Sequence, residues 1–511
     1  MSKSSSYPFQ IALIVSLGGF LFGFDASVIS GVVEFVGPQF DLDDIQLGWV
    51  VSSPTFAAMF AMVAAGTISD YIGRKKVLIY AALLYAISAL FSAVAPGYEV
   101  LVVARMIGGL AFGAALVLAP LYIAEVAPSE KRGKLVSVQQ FNIVIGFSAS
   151  YFCNYLLIGM MEEGTLTEYN VWRWMLGIEF LPALIYFACM FFVPKSPRWL
   201  LLHGREQEAD AVLNKIFDNG RASEEKLIIK ENIALGKKDK NTPLKSLFSS
   251  KLSLVMTIGF VVGIIQQVTG VNAIYFYAPT IFEQSGVGTN AAFAQAVLVG
   301  IINVVFTVVA MLTIDRLGRK PLLMAGLVGV VISMGITAYG FSQATYSLKK
   351  EVAIEMELDI TKLKNVLDVK YENDISFKHE LKTALGTAVY GRLEGDIIQQ
   401  SITMNPTLIL VGILLFVASF AVSLGPVMWV LLSEIFPNRI RGLAIAVVGF
   451  ANAFSSFIVQ LLFPWELTNL GNAGSFLVFG FFGLVGLLIL SKILPETKGK
   501  TLEDIEKEYV R

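Results

Sequence analysis

Long apolar runs, each about as long as a membrane-spanning helix, alternate with short polar loops over most of the chain. A bilayer core about 30 Å thick requires about 20 predominantly apolar residues in an α-helix. We predict a transmembrane helix wherever a run reaches this length. These helices are near residues 9–31, 47–69, 77–96, 99–124, 135–158, 171–193, 253–282, 291–313, 321–343, 406–431, 441–464 and 473–494. The pattern therefore predicts an all-α membrane protein with twelve transmembrane helices in a lipid bilayer.

The composition and its distribution along the chain agree with this prediction. Of the 511 residues, 55% are hydrophobic and only 15% are charged, whereas soluble domains carry roughly 25% charged residues. Almost half of the charged residues fall in 195–251 and 344–404. This excludes a soluble enzyme, a disordered protein and a nucleic-acid-binding protein with a basic face.

Cysteine and histidine usage excludes several kinds of site. Cys153 and Cys189 lie inside apolar runs, and His203 and His379 lie in the two polar stretches. We therefore expect neither a disulfide framework, nor a metal site, nor a histidine proton relay in the membrane. We expect no cofactor. The first run contains Asp25 and lacks a small-residue cleavage site, which favours a retained helix over a signal peptide.

The short loops sort by charge between the two ends of the predicted helices. Basic residues such as Lys75, Lys131 and Lys320 mark one end, and acidic residues such as Glu34 and Glu283 mark the other. The positive-inside rule places both termini and the 195–252 loop in the cytoplasm. The proline in Asn405-Pro-Thr prevents glycosylation of Asn405, which favours a bacterial inner membrane over a eukaryotic cell surface. We also expect a plasma-membrane protein that acts as a monomer.

Two loop motifs recur along the chain. Asp70-Tyr-Ile-Gly-Arg-Lys returns as Asp315-Arg-Leu-Gly-Arg-Lys, and Glu125-Val-Ala-Pro followed by Arg132-Gly returns as Glu434-Ile-Phe-Pro followed by Arg441-Gly. The second offset exceeds the first by about the length of the polar stretch 344–404. Parallel six-helix repeats are typical of transporters with a midplane site. We predict six segments: 1–194 (first half), 195–252 (cytoplasmic linker), 253–343 and 405–494 (second half), 344–404 (extracytoplasmic insertion) and 495–511 (tail).

An ordered set of motifs resembles the sugar porter family of the major facilitator superfamily. The motifs are Gly-Gly-Phe-Leu-Phe-Gly-Phe-Asp25, Arg105-Met-Ile-Gly-Gly, Pro120-Leu-Tyr-Ile-Ala-Glu125, Pro-Lys-Ser-Pro-Arg-Trp199, Gln266-Gln-Val-Thr-Gly-Val-Asn272 and Pro495-Glu-Thr-Lys-Gly. The resemblance implies secondary active import of a monosaccharide or polyol by alternating access. We do not expect an enzyme, because no nucleophile–base pair or phosphate loop appears in or near the spans. A uniporter without ion coupling and a sugar receptor that no longer transports remain the alternatives.

Charged residues in the spans are the candidates for ion coupling. Asp25 lies in the middle of the first predicted helix, where an isolated charge costs about 2.5–3.5 kcal/mol on insertion scales. Arg105, early in the fourth, is its natural partner, and Glu179 in the sixth is a second candidate. The resemblance implies that the Asp25–Arg105 pair is linked to proton uptake. A permanent structural ion pair is the alternative, and sodium in place of the proton stays open.

Amide side chains in the spans are the candidates for sugar binding, because an amide both donates and accepts hydrogen bonds without carrying a charge. The resemblance implies this role at Gln140, Gln266, Gln267, Asn272, Asn303 and Asn452. Hydrogen bonds between helices are the alternative for any one of them. The spacing around Gly270 predicts a locally irregular helix.

The aromatic complement differs from that of hexose porters, in which Trp is common at two positions occupied here by Leu424 and Ala453. We expect Phe22, Phe276 and Tyr277 to supply an apolar wall for the sugar. The choice between hexose, pentose and polyol stays open.

The repeated loop motifs predict a cytoplasmic gate of paired charges, and simple marking of the topology by basic loops is the alternative. Its residues are Asp70, Arg74, Glu125, Arg132, Asp315, Arg319, Glu434 and Arg441. Such pairs contribute about 0–1 kcal/mol each near water, which suits a switch between states of similar free energy. The 195–252 loop is expected to hold an amphipathic helix over Glu206–Phe217, and the 344–404 insertion to form a dispensable cap of short helices or a hairpin.

Overall fold

The protein is nearly all helix. A computed structural model describes residues 3–128, 130–217, 219–238, 247–437 and 440–500. In these residues, twelve helical segments are long and apolar enough to cross a membrane, which confirms the predicted number of spans. The first half comprises α1 (Lys3–Gln39), α2 (Asp44–Ile72), α3 (Arg74–Ala93), α4 (Tyr98–Val126), α5 (Arg132–Glu162), α6 (Val171–Gly177) and α7 (Phe180–Met190).

A short linker and the second half follow. The linker contains α8 (Pro197–Leu202), α9 (Glu206–Ile216) and α10 (Asn219–Lys238). The second half begins with α11 (Ser253–Val268), α12 (Val271–Phe276), α13 (Ala278–Glu283), α14 (Thr289–Leu317) and α15 (Arg319–Ser342). The insertion consists of β1 (Thr345–Tyr346), α16 (Lys350–Glu355), α17 (Ile360–Leu363), α18 (Asp374–Leu385), α19 (Thr387–Ser401) and β2 (Ile402–Thr403). The last helices are α20 (Pro406–Val422), α21 (Leu424–Ile435), α22 (Arg441–Asn469) and α23 (Gly471–Ile493).

Three predicted spans are interrupted rather than continuous. The sixth breaks between α6 and α7 beside Glu179, and the tenth breaks at Ser423. The seventh breaks at Gly270, whose φ of +88° is left-handed. A Cβ there would also lie 2.5 Å from the Phe479 ring, so only glycine fits. This confirms the irregular helix expected around Gly270. Irregular backbone at membrane depth is tolerated where it is buried in protein or lines a cavity.

The insertion is a small folded unit that we call the cap (residues 344–404). β1 pairs antiparallel with β2, and Tyr346 stacks on Phe377 in an apolar core. Asp374 Oδ2 accepts hydrogen bonds of 2.9 Å from the backbone and side-chain nitrogens of Asn472, at the start of α23. The cap is therefore anchored to the second half. Of the two alternatives considered from the sequence it contains the short helices, and its two strands pair the ends of the insertion rather than forming a hairpin. We call the end of the bundle beneath it the cap end.

The linker packs against the opposite end of the bundle, the linker end. The Trp199 indole nitrogen donates to the backbone oxygen of Asp70 at 3.1 Å. On α9, Ala209, Leu213 and Ile216 are buried, which confirms the amphipathic helix predicted there.

The two halves are in close contact at the cap end. Gly48 on α2 lies so near α22 that a Cβ on it would be 2.0 Å from the backbone oxygen of Leu461. The Tyr151 hydroxyl, on α5, donates to the backbone oxygen of Tyr275 at 2.5 Å. These contacts close the space between the halves at this end.

Candidate transport site

Three buried ionisable side chains meet inside the first half. The Arg105 guanidinium forms an ion pair with Asp25 Oδ1 and also reaches the Asp25 backbone oxygen at 3.5 Å. The Glu179 carboxyl, at the α6–α7 break, is within hydrogen-bonding reach of Asp25. The three residues are only 2–3% exposed. The structure thus unites the three residues that the sequence proposed for coupling.

The charge of this cluster depends on one proton. With both carboxylates ionised, one guanidinium leaves a net charge of −1, whereas a single proton makes the group neutral. An uncompensated charge is costly in a buried site. Moreover, two carboxyl groups in contact resist simultaneous ionisation. The geometry therefore fits a site that takes up and releases one proton.

Four of the predicted amides form a hydrogen-bonded network. Asn272 Nδ2 donates to Gln267 Oε1 at 2.8 Å. Asn452 Nδ2 donates to Gln266 Oε1, also at 2.8 Å, and Gln267 Nε2 reaches Asn452 Oδ1 at 3.3 Å. The left-handed turn at Gly270 lets Asn272 approach Gln267 across the break. The network carries no formal charge, so it suits a neutral polyhydroxyl ligand.

Sequence reasoning missed three polar residues that extend the network. Ser456 Oγ accepts from Asn272 at 2.5 Å and from Gln460 Nε2 at 2.7 Å. Thr55 Oγ1, in the first half, donates to Gln460 Oε1 at 3.0 Å. The signal was the spacing of Asn452, Ser456 and Gln460, because residues four apart share one face of a helix. The extended network therefore bridges the two halves.

Two predicted amides lie outside this network in the described structure. Gln140 is exposed on α5, and Asn303 is buried on α14 with only 7% exposure. Their part in sugar binding stays a prediction.

The predicted aromatic wall is dispersed rather than continuous. Phe22 packs against Phe112 and Phe147, and Phe276 is buried. Tyr277 is buried too, and its hydroxyl donates to the backbone oxygen of Gln460 at 3.1 Å. The role of these rings in sugar binding stays a prediction.

The positions occupied by Leu424 and Ala453 both lie beside the network. The backbone oxygen of Leu424 accepts from Gln266 Nε2 at 2.9 Å, and Ala453 packs in a small cluster with Met59 and Phe457. Tryptophan at these positions would bring a large ring next to the amides.

At the linker end, charged residues of the first half form one cluster. Arg74 Nη2 lies 2.7 Å from Asp70 Oδ1, and Arg74 Nε lies 3.3 Å from Glu125 Oε1. The Ser196 hydroxyl donates to the second oxygen of Glu125, which ties the linker to this cluster.

The second half repeats the arrangement. Arg319 Nη2 lies 3.1 Å from Asp315 Oδ1 and 2.8 Å from Glu434 Oε1. In the described part of the chain, neither Arg132 nor Arg441 forms an ion pair with an acidic gate residue. The pairs lie within each half and do not join the halves, as expected of a gate whose linker end is open. Its action as a gate stays a prediction.

Twelve spans in two repeated halves, with a polar network between them, define a secondary transporter. The chain belongs to the family described as Sugar (and other) transporter, whose model matches residues 11–356 and 383–509. It is 35% identical to the D-xylose-proton symporter of Escherichia coli (strain K12), over 98% of this chain and 96% of that protein. It is 33% identical to the arabinose-proton symporter of Bacillus subtilis (strain 168), over 100% and 97%.

Solved structures show the same fold. The inward-open xylose transporter XylE from E. coli superposes with a TM-score of 0.77 at 32% identity, covering 98% of this chain and 100% of that one. The xylose symporter bound to 6-bromo-6-deoxy-D-glucose gives 0.71 at 32% identity, covering 99% and 100%. The chain therefore has the major facilitator fold, and it is a multi-pass membrane transporter rather than an enzyme.

Proposed function

We propose that this protein imports a monosaccharide or related polyol together with a proton, by alternating access between its two halves. The observation that carries the proposal is the buried Asp25–Arg105–Glu179 cluster, which can hold one proton. The relatives named as proton symporters of D-xylose and arabinose support it. A uniporter has no need for a second carboxyl beside an ion pair.

The proton acts by changing the charge of the cluster. Protonation from outside weakens the pairing of Asp25 with Arg105 and leaves the cluster neutral. Sugar binds the amides between the halves, and the halves then rock so that the linker end opens. A ligand shifts such an equilibrium only by binding the two states with different affinity. Proton and sugar together supply that difference.

The orientation follows from the charged loops. We infer that the cap end faces outside and that the linker and both termini face the cytoplasm, because the basic loops lie at the linker end. The membrane is the plasma membrane, in a bacterial cell the inner membrane, and the transporter works as a monomer. In this orientation the described structure is closed toward the outside by the contacts at Gly48 and Tyr151.

Uptake into proteoliposomes tests the proposed coupling. With an inward proton gradient in sodium-free buffer, labelled xylose, arabinose or glucose should accumulate above its external concentration. Without the gradient it should only equilibrate. Equal uptake in both conditions would support the uniporter. Accumulation that follows a sodium gradient instead would assign the coupling to sodium.

Shortening one amide tests the sugar site. We expect Gln267→Ala to raise the KM for sugar about 3- to 10-fold, because one lost hydrogen bond costs about 0.5–1.5 kcal/mol. Proton-driven accumulation should persist at saturating sugar. Gln343→Ala, a matched change at the exposed end of α15, serves as the control. An unchanged KM in Gln267→Ala would remove this network from the binding site.

A further inference from the structure

A second pair of acidic side chains meets between the halves at the cap end. Glu34 belongs to α1 in the first half, and Glu283 ends α13 in the second half. Their carboxyl groups are within hydrogen-bonding reach of each other. Thr280 Oγ1 also donates to Glu34 Oε2 at 3.4 Å. This is a direct polar contact across the closed end.

Such a contact needs a proton. Two ionised carboxylates have only acceptor oxygens and repel each other, whereas one protonated carboxyl donates to the other. Glu283 is 3% exposed. In the described part of the chain, its Oε1 is buried and has no hydrogen-bond partner. Glu34 and Glu283 both line a cavity of about 620 Å³ beneath the cap. The pair therefore has a place for the proton and a route to it.

The charges around the pair oppose a second ionisation. Glu394 and Asp396, both on α19 of the cap, face Glu34, and Glu394 also faces Glu283. Burial disfavours the charge on Glu394, but the ammonium groups of Lys378 and Lys382 outweigh it and lower the pKa of Glu394 below its ordinary value. Glu394 thus stays ionised as an acidic neighbour.

The rest of the cavity wall supplies charges of both signs. Lys378 Nζ lies 3.4 Å from Glu394 Oε1, so this lysine is already paired. The remaining titratable side chains of the wall include Asp41, Asp44, Tyr277, Tyr371, His379, Glu380, Lys382 and Tyr390.

We propose that Glu34 and Glu283 form a second proton-binding site, in which one shared proton holds the two halves together at the cap end. The proposal rests on alternating access and on the outward orientation of the cap. When the proton leaves, two adjacent carboxylates push the halves apart. This proton enters and leaves through the cap cavity, so it is not transported, unlike the proton at Asp25. External acid therefore favours the state that is closed to the outside.

The distance between the halves at the cap end measures this effect directly. Spin labels at Glu168→Cys and Asn469→Cys, one on each half, are introduced after Cys153→Ser and Cys189→Ser. Distances are recorded in lipid nanodiscs without sugar. In the otherwise native protein the closed fraction should fall as pH is raised from about 5 to about 8, because loss of the shared proton leaves two adjacent carboxylates that repel each other.

The decisive variant is Glu283→Gln, whose amide donates to Glu34 at every pH. Its closed fraction should stay high, about threefold above the native value at about pH 8. Glu34→Gln should behave in the same way and replaces it if Glu283→Gln fails to fold. Glu99→Gln removes an exposed carboxyl from the same end of the bundle and should keep the native pH dependence.

The same pH profile in Glu283→Gln and Glu99→Gln would overturn the proposal. Because Glu283→Gln and Glu99→Gln both keep the Asp25 cluster, the difference between their pH profiles reports on the Glu34–Glu283 pair alone. If the native protein showed the pH-dependent label distance but no proton-driven sugar uptake, the proposed symport would be rejected and the second proton site would stand.

Discussion

Asp25→Asn should abolish sugar accumulation, so that the ratio of internal to external sugar falls to about 1 even under an inward proton gradient. Asparagine fills nearly the same volume but neither binds nor releases a proton. The cluster then keeps only Arg105 and Glu179 as charged groups, which pair without a variable proton. Exchange of labelled for unlabelled sugar should continue, because the amide network lies in the second half and is untouched.

Glu99→Gln is a suitable control, since it removes an exposed carboxyl at the start of α4, outside the buried cluster. It should accumulate sugar like the native protein. Retained accumulation in Asp25→Asn would show that the pair is structural. Loss of both accumulation and exchange would indicate a folding defect, which the thermal unfolding temperature would reveal.

Gly48→Leu should hold the transporter open to the outside and reduce net uptake by about 100-fold or more, because the closed end has no room for a side chain. A Cβ at Gly48 would already lie 2.0 Å from the backbone oxygen of Leu461. Since that atom belongs to the other half, the clash exists only when the cap end is closed. The variant should therefore fold and bind sugar from outside, with a longer distance between labels at positions 168 and 469.

Gly66→Leu provides the matched comparison on the same helix. In the described structure, a Cβ at Gly66 would meet no atom within 4 Å, so uptake and label distance should stay native. If Gly48→Leu transports normally, the halves do not need to close at this point. The expected long distance also calibrates the open state for the pH experiment.

Much of the fold and part of the site could be predicted from the sequence, because the membrane restricts what a chain can do. A single carboxylate such as Asp25 in an apolar helix is costly unless it is paired, and Arg105 in the fourth span was the basic residue predicted to pair with it. Gly270 between Gln267 and Asn272 indicated the broken seventh span. These predictions rest on local rules that hold wherever the helices pack.

Contacts between distant elements could not be predicted in the same way. Thr55 and Gln460 meet only because α2 crosses α22, and no pattern in either helix indicates that crossing. Glu34 and Glu283 looked like ordinary acidic residues at helix ends. Their meeting depends on which end of the bundle is closed, a property of one conformation rather than of the residues. The break beside Glu179 falls between Gly177 and Pro182, two residues of the kinds that commonly interrupt helices, but it was not predicted from them.

The cap is hydrogen-bonded to the second half and also contacts the first half, so it should move with the second half. Its Asp374 is bonded to Asn472 in the second half, whereas Gly391 on α19 approaches Pro38 at the end of α1. The contact between α19 and Pro38, which we call the seam, should be lost whenever the cap end opens. An antibody fragment that recognises both sides of this seam would consequently arrest the transport cycle in a single conformation, with no need to enter the sugar pathway.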